Sequence, residues 1–282
     1  MQIINTKQEL VKQMAACVRQ GKTIGFVPTM GALHAGHASL VKQACAENEV
    51  CVVSVFVNPT QFNNKEDLLK YPRNLTKDAE LLADLGVHFV FAPTPEEMYS
   101  PDEMEQEFSF DFAGLDQVME GKMRPGHFNG VAQIVSKLFY AIEPTRSYFG
   151  EKDFQQVAII RDMVKQLNIP VEIIACPIIR EESGLARSSR NELLSAEERK
   201  KAALISQVLS KSVNFAKEMS VEEVKNWVND QFKSDDTFKM DYYDIVDGNS
   251  LQSVSSWDES DYIVGCIAIY CGKIRLIDNI HY

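Results

Sequence analysis

The chain has 282 residues, 45% of them hydrophobic and 24% charged, the make-up of a soluble globular protein long enough for one large or two modest domains. This excludes a disordered tail, a collagen-like fibre and a disulfide-stapled miniprotein. With 29 basic against 40 acidic residues the formal charge is -11, which repels phosphate backbones and argues against nucleic-acid binding, yet leaves room for a small polyanion wherever a few donors cluster.

The first ten residues are polar, and no apolar run reaches the roughly 18 residues of a membrane span. Neither a secretion signal nor a membrane anchor is expected, and the chain reads as cytoplasmic. Thr23–Pro28 reads as a buried strand, followed by a glycine-rich turn and a helix over Ala38–Asn48. Val50–Val57 is a second strand, apolar almost throughout, as a strand covered on both faces should be. Leu75–Leu85 carries a helical stripe at Leu75, Ala79, Leu82 and Leu85, and Val87–Ala92 is a third strand, ended by Pro93 and Pro95. The acidic stretch Glu96–Glu107 is expected to be a solvated loop. Val131–Ile142 is helical, Ser147–Phe149 a short strand, Gln155–Leu167 a helix and Val171–Ala175 a strand. Strands alternating with helices at this pitch predict an α/β class with a Rossmann-like parallel sheet and right-handed crossovers.

The pattern changes after Cys176-Pro177. Ser195-Ala-Glu-Glu198 and Ser220-Val-Glu-Glu223 are capping boxes that open amphipathic helices, and Met240–Val246, Tyr262–Tyr270 and Lys273–Ile277 read as antiparallel strands. The expected organisation is therefore a sheet domain over 1–176 and a smaller α+β domain over 177–282. Cys17, Cys45, Cys51, Cys176, Cys266 and Cys271 contain no C-x-x-C pair and mostly lie in apolar runs. They read as small core residues in a reducing compartment.

The stretch Phe26-Val-Pro-Thr-Met-Gly-Ala-Leu-His-Ala-Gly-His37 follows a predicted strand and opens a helix, where α/β sheets bind ligands and free N–H groups meet phosphate. Gly31 and Gly36 permit close backbone approach. His34 and His37 can share one face and donate to a common anion, which suits a phosphate that gains charge during in-line attack. The same spacing fits two metal ligands, but no neighbouring Cys or carboxylate completes a set. Asn58, Thr60 and Gln61 follow the second strand and so lie on the same sheet edge; their amides either bind a ligand bearing hydroxyls and a carboxylate or cap the loop. After the strand ending at Phe149, Gly150 permits a tight turn and Lys152 can neutralise phosphate, while Asp153 accepts from a ribose hydroxyl or caps the next helix. Ser188, Ser189 and Arg190 read either as a phosphate clamp or as a solvated linker. Arg124 and His127 either steer carboxylates or anchor a loop. His88 and His281 have no supporting constellation and are expected to be structural.

The His34–His37 segment resembles the H-x-G-H signature of the nucleotidylyltransferase superfamily, and Pro28–His37 resembles the longer string of the pantothenate synthetase (pantoate–β-alanine ligase) family. Phe56-Val-Asn-Pro-Thr-Gln-Phe62, Tyr71-Pro-Arg73, Arg124-Pro-Gly-His-Phe128, Phe149-Gly-Glu-Lys-Asp-Phe-Gln-Gln156, Arg180-Glu181, Ser188-Ser-Arg-Asn191 and Leu276-Ile-Asp-Asn279 fit the family in its order. The resemblance implies ATP-dependent formation of pantothenate from pantoate and β-alanine through an acyl-adenylate. It implies His34, His37 and Lys152 as catalytic groups. ATP would be held by Met30, Gly31, Ala32, Leu33, His34, Ala35, Gly36 and His37, by Gly150, Glu151, Lys152 and Asp153, and by Ile179, Arg187, Ser188, Ser189 and Arg190. Asn58, Gln61 and Gln156 would hold pantoate, with Gln61 also near β-alanine. Mg2+ would arrive on ATP with no dedicated metal site, and a homodimer is implied. Segment 184–191 resembles the superfamily's mobile K-M-S-K-S-like loop. Glu192-Leu193 departs from the family's pattern, which commonly has an aromatic at position 193. A nucleotidylyltransferase acting on a phosphorylated substrate, or a non-catalytic nucleotide sensor, would share the His pair; the former should carry more cations near Asn58–Gln61.

Overall fold

The computed structural model describes residues 1–62, 65–105 and 108–282. They fall into two compact units, Met1–Glu151 with Gln156–Cys176, and Lys152–Gln155 with Pro177–Tyr282. Lys152–Gln155, which in sequence lie between two stretches of the first unit, thus group with the second.

The first unit is built on a parallel sheet of β1 (Gln2–Ile4), β2 (Ile24–Thr29), β3 (Val50–Val55), β4 (Phe89–Phe91), β5 (Arg146–Gly150) and β6 (Glu172–Cys176), in the order β1-β4-β3-β2-β5-β6. Successive residues of a strand face opposite sides. Phe26 and Val52 enter one apolar cluster, and their neighbours Val27 and Val53 enter another. That double burial is why these strands read as unbroken apolar runs. The strand order reverses between β2 and β5, so the loops leaving β2, β3 and β5 share the carboxyl edge where such sheets open a crevice.

Helices α1 (Lys7–Arg19), α2 (Ala35–Glu47), α3 (Lys65–Lys70), α4 (Leu75–Asp84), α5 (Pro95–Met98), α6 (Pro101–Glu105), α7 (Met119–Met123), α8 (His127–Ile142) and α9 (Phe154–Gln166) accompany the strands. The polar N-terminus conceals β1 and α1. Thr6 caps α1, and Leu10 and Met14, one turn apart, bury its inner face. The acidic stretch is not simply a solvated loop. It contains α5 and α6, it buries Met98 and Tyr99 in the core, and Glu103 pairs with Lys137 of α8 at 2.5 Å. Its last residues, Gln106 and Glu107, lie outside the described residues.

In the second unit, α10 (Ala196–Phe215) and α11 (Val221–Asp230) both open on reciprocal Ser–Glu capping boxes. They pack Leu209, Val224 and Val228 with Ile245, Ile267 and Ile269 of an antiparallel sheet of β7 (Phe238–Asp247), β8 (Ile263–Cys271) and β9 (Ile274–His281). β9 runs four residues beyond the expected Ile277, because β8 continues to pair with it as far as Val264 opposite His281. Among the described residues no helix is long and apolar enough to cross a membrane.

Candidate active site

At the end of β2 the chain reverses through Gly31 (φ 81°) and Ala32 (φ 51°). Left-handed backbone at an alanine costs on the order of 1 kcal/mol, and a carboxylate offsets it. Asp78, in the first turn of α4 and only 3% exposed, accepts from the Ala32 amide at 3.0 Å and the Leu33 amide at 2.8 Å. A Cβ on Gly31 would lie 2.9 Å from Asp78 Oδ2, so this position requires glycine for its space as well as its φ. Thr29 Oγ1 accepts from the Gly31 amide and donates to the Ser54 carbonyl, tying the turn to β3.

The pinned turn delivers His34 as the N-cap of α2, which begins at Ala35, three residues earlier than the sequence suggests. His34 Nδ1 accepts from the Gly36 amide at 3.1 Å, and His37 Nδ1 accepts from the His34 amide at 3.4 Å. The ring centroids are 4.1 Å apart. A ring nitrogen that accepts from an amide holds its lone pair there, so each ring carries its proton on Nε2. The two imidazoles therefore offer N–H donors at the start of a helix, where backbone amides and the helix dipole also favour an anion. Met30, Ala35 and Gly36 complete the segment.

At the end of β3, Pro59–Gln61 forms a 3-10 turn. Asn58, expected to contact ligand, is 1% exposed and fully engaged within the protein. Its Nδ2 donates to the Gly130 carbonyl at 3.0 Å and to Gln61 Oε1 at 3.1 Å, while its Oδ1 accepts from Tyr99 at 2.7 Å and Thr60 at 3.1 Å. Asn58 is thereby bonded directly to the Gln61 side chain. His127 Nδ1 lies 2.9 Å from the Gln61 carbonyl and its Nε2 lies 3.2 Å from Arg124. A carbonyl can only accept, so Nδ1 donates and Nε2 receives the guanidinium. This pair anchors the Gln61 backbone. Gly130 permits the close fit of α8 on the turn, since a Cβ there would sit 2.4 Å from the Thr60 carbonyl oxygen. Gln156 lies half-buried in the first turns of α9, and Gly150 ends β5, the strand next to β2, with Glu151 directly after it.

In the second unit, Lys152 is mostly buried and lies 3.5 Å from Asp153 Oδ1; its carbonyl accepts from Asn279 of β9. The Arg187 amide donates to the Ile179 carbonyl at 2.9 Å across a tight turn, so these two expected ATP contacts are joined. Ser188 caps a 3-10 turn over Ser189–Leu193 that also carries the exposed Arg190. The segment is an anchored turn and not a solvated linker. Asn191 donates to Glu181 Oε1 and to the Ala186 carbonyl, and Arg199 grips Glu181 through two hydrogen bonds. The Arg199 hydrogen bond holds the Glu181 carboxyl below the usual range. Arg180 makes a bidentate pair with the buried Asp278 at 2.6 and 3.0 Å. Lys152, Ser188, Arg190, Asn191 and Asp278 line one small cavity. At the departure from the family's pattern, Leu193 is 68% exposed and Glu192 lies 3.6 Å from Arg199, so no packing depends on an aromatic at position 193.

Sequence reading passed over Asp78 and Tyr99 and met Glu181 and Asn191 only as parts of family motifs, without the partners through which they order the segments it singled out. His88 Nδ1 accepts from the Cys51 amide, and His281 packs on Phe154 and Tyr262; both are structural.

The family model described as pantoate-beta-alanine ligase matches residues 2–281. The chain is 58% identical to the pantothenate synthetase of Bacteroides thetaiotaomicron over 100% of this chain and 99% of that protein. It is 53% identical to that of Porphyromonas gingivalis, again over 100% and 99%. The crystal structure of pantothenate synthetase from Thermus thermophilus matches with a TM-score of 0.91 at 42% identity, covering 99% of each chain. A pantoate-beta-alanine ligase from Francisella tularensis, solved in complex with beta-gamma ATP and beta-alanine, matches with a TM-score of 0.81 at 38% identity over 100% of this chain and 97% of that one. With its family model matched across nearly every residue and the H-x-G-H pair built into a pinned helix start, the chain belongs to the pantoate–β-alanine ligase family.

Proposed function

We propose that this chain condenses (R)-pantoate with β-alanine through pantoyl adenylate, releasing AMP and pyrophosphate. Family membership over the whole chain carries this reading, and the Francisella complex with an ATP ligand and β-alanine supports both substrates. A pantoate carboxylate oxygen attacks the α-phosphorus of ATP, the bond to the β-phosphate breaks and pyrophosphate leaves. The β-alanine amine then attacks the acyl carbon, the acyl–oxygen bond to AMP breaks, and the amine's proton is lost to form the amide.

His34 and His37 donate from Nε2 to the α-phosphate oxygens as charge builds in the transition state. This electrostatic role fits the donors' geometry, and direct carboxylate attack requires no proton on the leaving pyrophosphate. Met30–Gly36 line the nucleotide beside them. Gly150, Glu151 and Asp153 form a turn for the nucleoside, Lys152 neutralises phosphate, and Ile179 and Arg187–Arg190 supply further contacts. Gln61 and Gln156 hold pantoate, Asn58 sets Gln61, and Gln61 borders β-alanine. Mg2+ is taken to arrive on the triphosphate and to neutralise part of its charge.

The chain is also proposed to be cytoplasmic, as its reduced cysteines suit. It is proposed to pair as a homodimer through the first unit, where Ile3, Val11 and Val18 are exposed apolar residues; sedimentation equilibrium tests this. For the activity, pantoate, β-alanine and Mg-ATP are supplied together. Stoichiometric AMP and pantothenate support the reading; ADP, or nucleotide hydrolysis without an amide, overturns it.

A further inference from the structure

Tyr99 sits in the acidic stretch, outside every segment assigned above to ATP. It is 3% exposed, tilted against Phe56 with ring centroids 6.4 Å apart, and Lys137 lies 5.4 Å from its ring centroid. Burial pushes its hydroxyl's pKa well above 10, so it is a donor at neutral pH. That hydroxyl donates to Asn58 Oδ1, and the consequence reaches Gln61 by donor–acceptor logic alone.

The Gly130 carbonyl can only accept, so it faces the amide nitrogen of Asn58. Asn58 Oδ1 then faces the opposite way, where Tyr99 and Thr60 fill it with hydroxyl protons. The second N–H of Asn58 points to Gln61, which must answer with Oε1. Gln61 Nε2 is thereby turned towards Met30, whose Sδ lies 3.0 Å away, in the segment that leads into the His pair. An amide has only these two ends, so each link fixes the next.

We propose that Tyr99 is a positioning residue that acts through Asn58 to fix Gln61 as an N–H donor towards an acceptor oxygen of pantoate. This rests on the proposed binding of pantoate at Gln61. The specificity that follows is for a substrate presenting a carboxylate or hydroxyl oxygen at this point, and against one presenting only a donor.

The test measures KM for pantoate and for ATP, kcat and the unfolding midpoint in the wild type and in Gln61→Glu, Tyr99→Phe and Thr60→Val. Gln61→Glu can still accept from Asn58 but presents oxygen to oxygen, and should raise the pantoate KM at least on the order of 100-fold while leaving that for ATP within about twofold. Tyr99→Phe removes one of two donors to a buried acceptor and should raise the pantoate KM on the order of tenfold, again sparing ATP. Thr60→Val, at a less buried site, should shift it in the same direction by less, and serves if Tyr99→Phe folds poorly. A merely structural role would lower kcat or the unfolding midpoint without separating the two KM values. If Gln61→Glu leaves the pantoate KM unchanged, pantoate does not sit at Gln61 and the proposal falls with that assignment. If Gln61→Glu raises it while Tyr99→Phe and Thr60→Val leave both KM values alone or move them equally, the relay through Asn58 is wrong on its own.

Discussion

Gly130 offers a sharp test of how α8 holds the turn that carries Gln61. In Gly130→Ala the new Cβ would meet the Thr60 carbonyl oxygen at 2.4 Å, its carbon at 2.6 Å and the Gln61 amide nitrogen at 2.7 Å. All three are main-chain atoms, so no rotamer relieves the contact and the helix and turn must part by about 1 Å to reach ordinary van der Waals distance. Alanine gains ~1 kcal/mol over glycine inside a helix, whereas overpacking costs ~1–3 kcal/mol. The net loss of stability is therefore small, ~0–2 kcal/mol, or a few degrees in the unfolding midpoint of a unit this size. The loss of function should be much larger. The movement breaks the 3.0 Å bond from Asn58 to the Gly130 carbonyl, and a misplacement of ~1 Å in a positioning group can cost ~100-fold in rate. Pyrophosphate release with pantoate varied should show kcat/KM down by about two orders of magnitude, with the ATP KM nearly unchanged. Calorimetry on the same samples reads the unfolding midpoint. A variant more stable than the wild type with unaltered kcat/KM for pantoate would refute the reasoning.

Further outcomes follow from the same geometry. His37→Ala and Lys152→Ala should abolish pantoate-dependent pyrophosphate release while circular dichroism and the unfolding midpoint stay close to wild type; normal rates in either would remove that residue from the site. Asp78→Ala removes the carboxylate that accepts from the Ala32 and Leu33 amides and should destabilise the protein by ~3 kcal/mol in urea titrations, with Asp78→Asn losing about half as much. The Lys137 hydrogen bond, helped by the Ser100 amide, draws the Glu103 carboxyl from 4.5 down to about 2. A carboxyl lowered in the folded state contributes stability that is complete above pH 4.5 and is lost as the pH falls towards 2. Because Glu103 is 42% exposed, that contribution is at most ~1 kcal/mol. Urea unfolding at pH 6 and pH 3 should therefore show a smaller acid loss in Glu103→Gln than in the wild type, and equal losses would contradict the assignment.

What could be read from the sequence was what local physics writes into it. β2 and β3 were recognisable because burial on both faces leaves Phe26-Val27 and Val52-Val53 no polar partner residue. The helices α10 and α11 announced themselves through capping boxes whose spacing is itself the mechanism. The His pair was legible for the same reason, since a three-residue interval at a strand-to-helix junction places both rings at one helix start. Long-range partners were not legible. Asp78 serves amides 45 and 46 residues earlier, and nothing near it signals that use. Tyr99 lay hidden in an acidic run whose Glu103 is paired with Lys137 of α8, far along the chain. For Asn58 the sequence leaves ligand binding and loop capping open, and only the three-dimensional partners reveal that both of its amide ends are engaged within the protein. In Leu276-Ile-Asp-Asn279 the motif was visible but its work was not: Asp278 fixes Arg180 and Asn279 fixes the Lys152 backbone.

The central claim is that pantoate is activated by its own carboxylate attacking the α-phosphorus. Pantoate labelled with oxygen-18 in both carboxyl oxygens tests it directly, by mass spectrometry of the AMP formed in the presence of β-alanine and Mg-ATP. An acyl-adenylate route predicts that each AMP carries one oxygen-18 and the pantothenate retains the other. AMP free of the label alongside pantothenate would contradict the account.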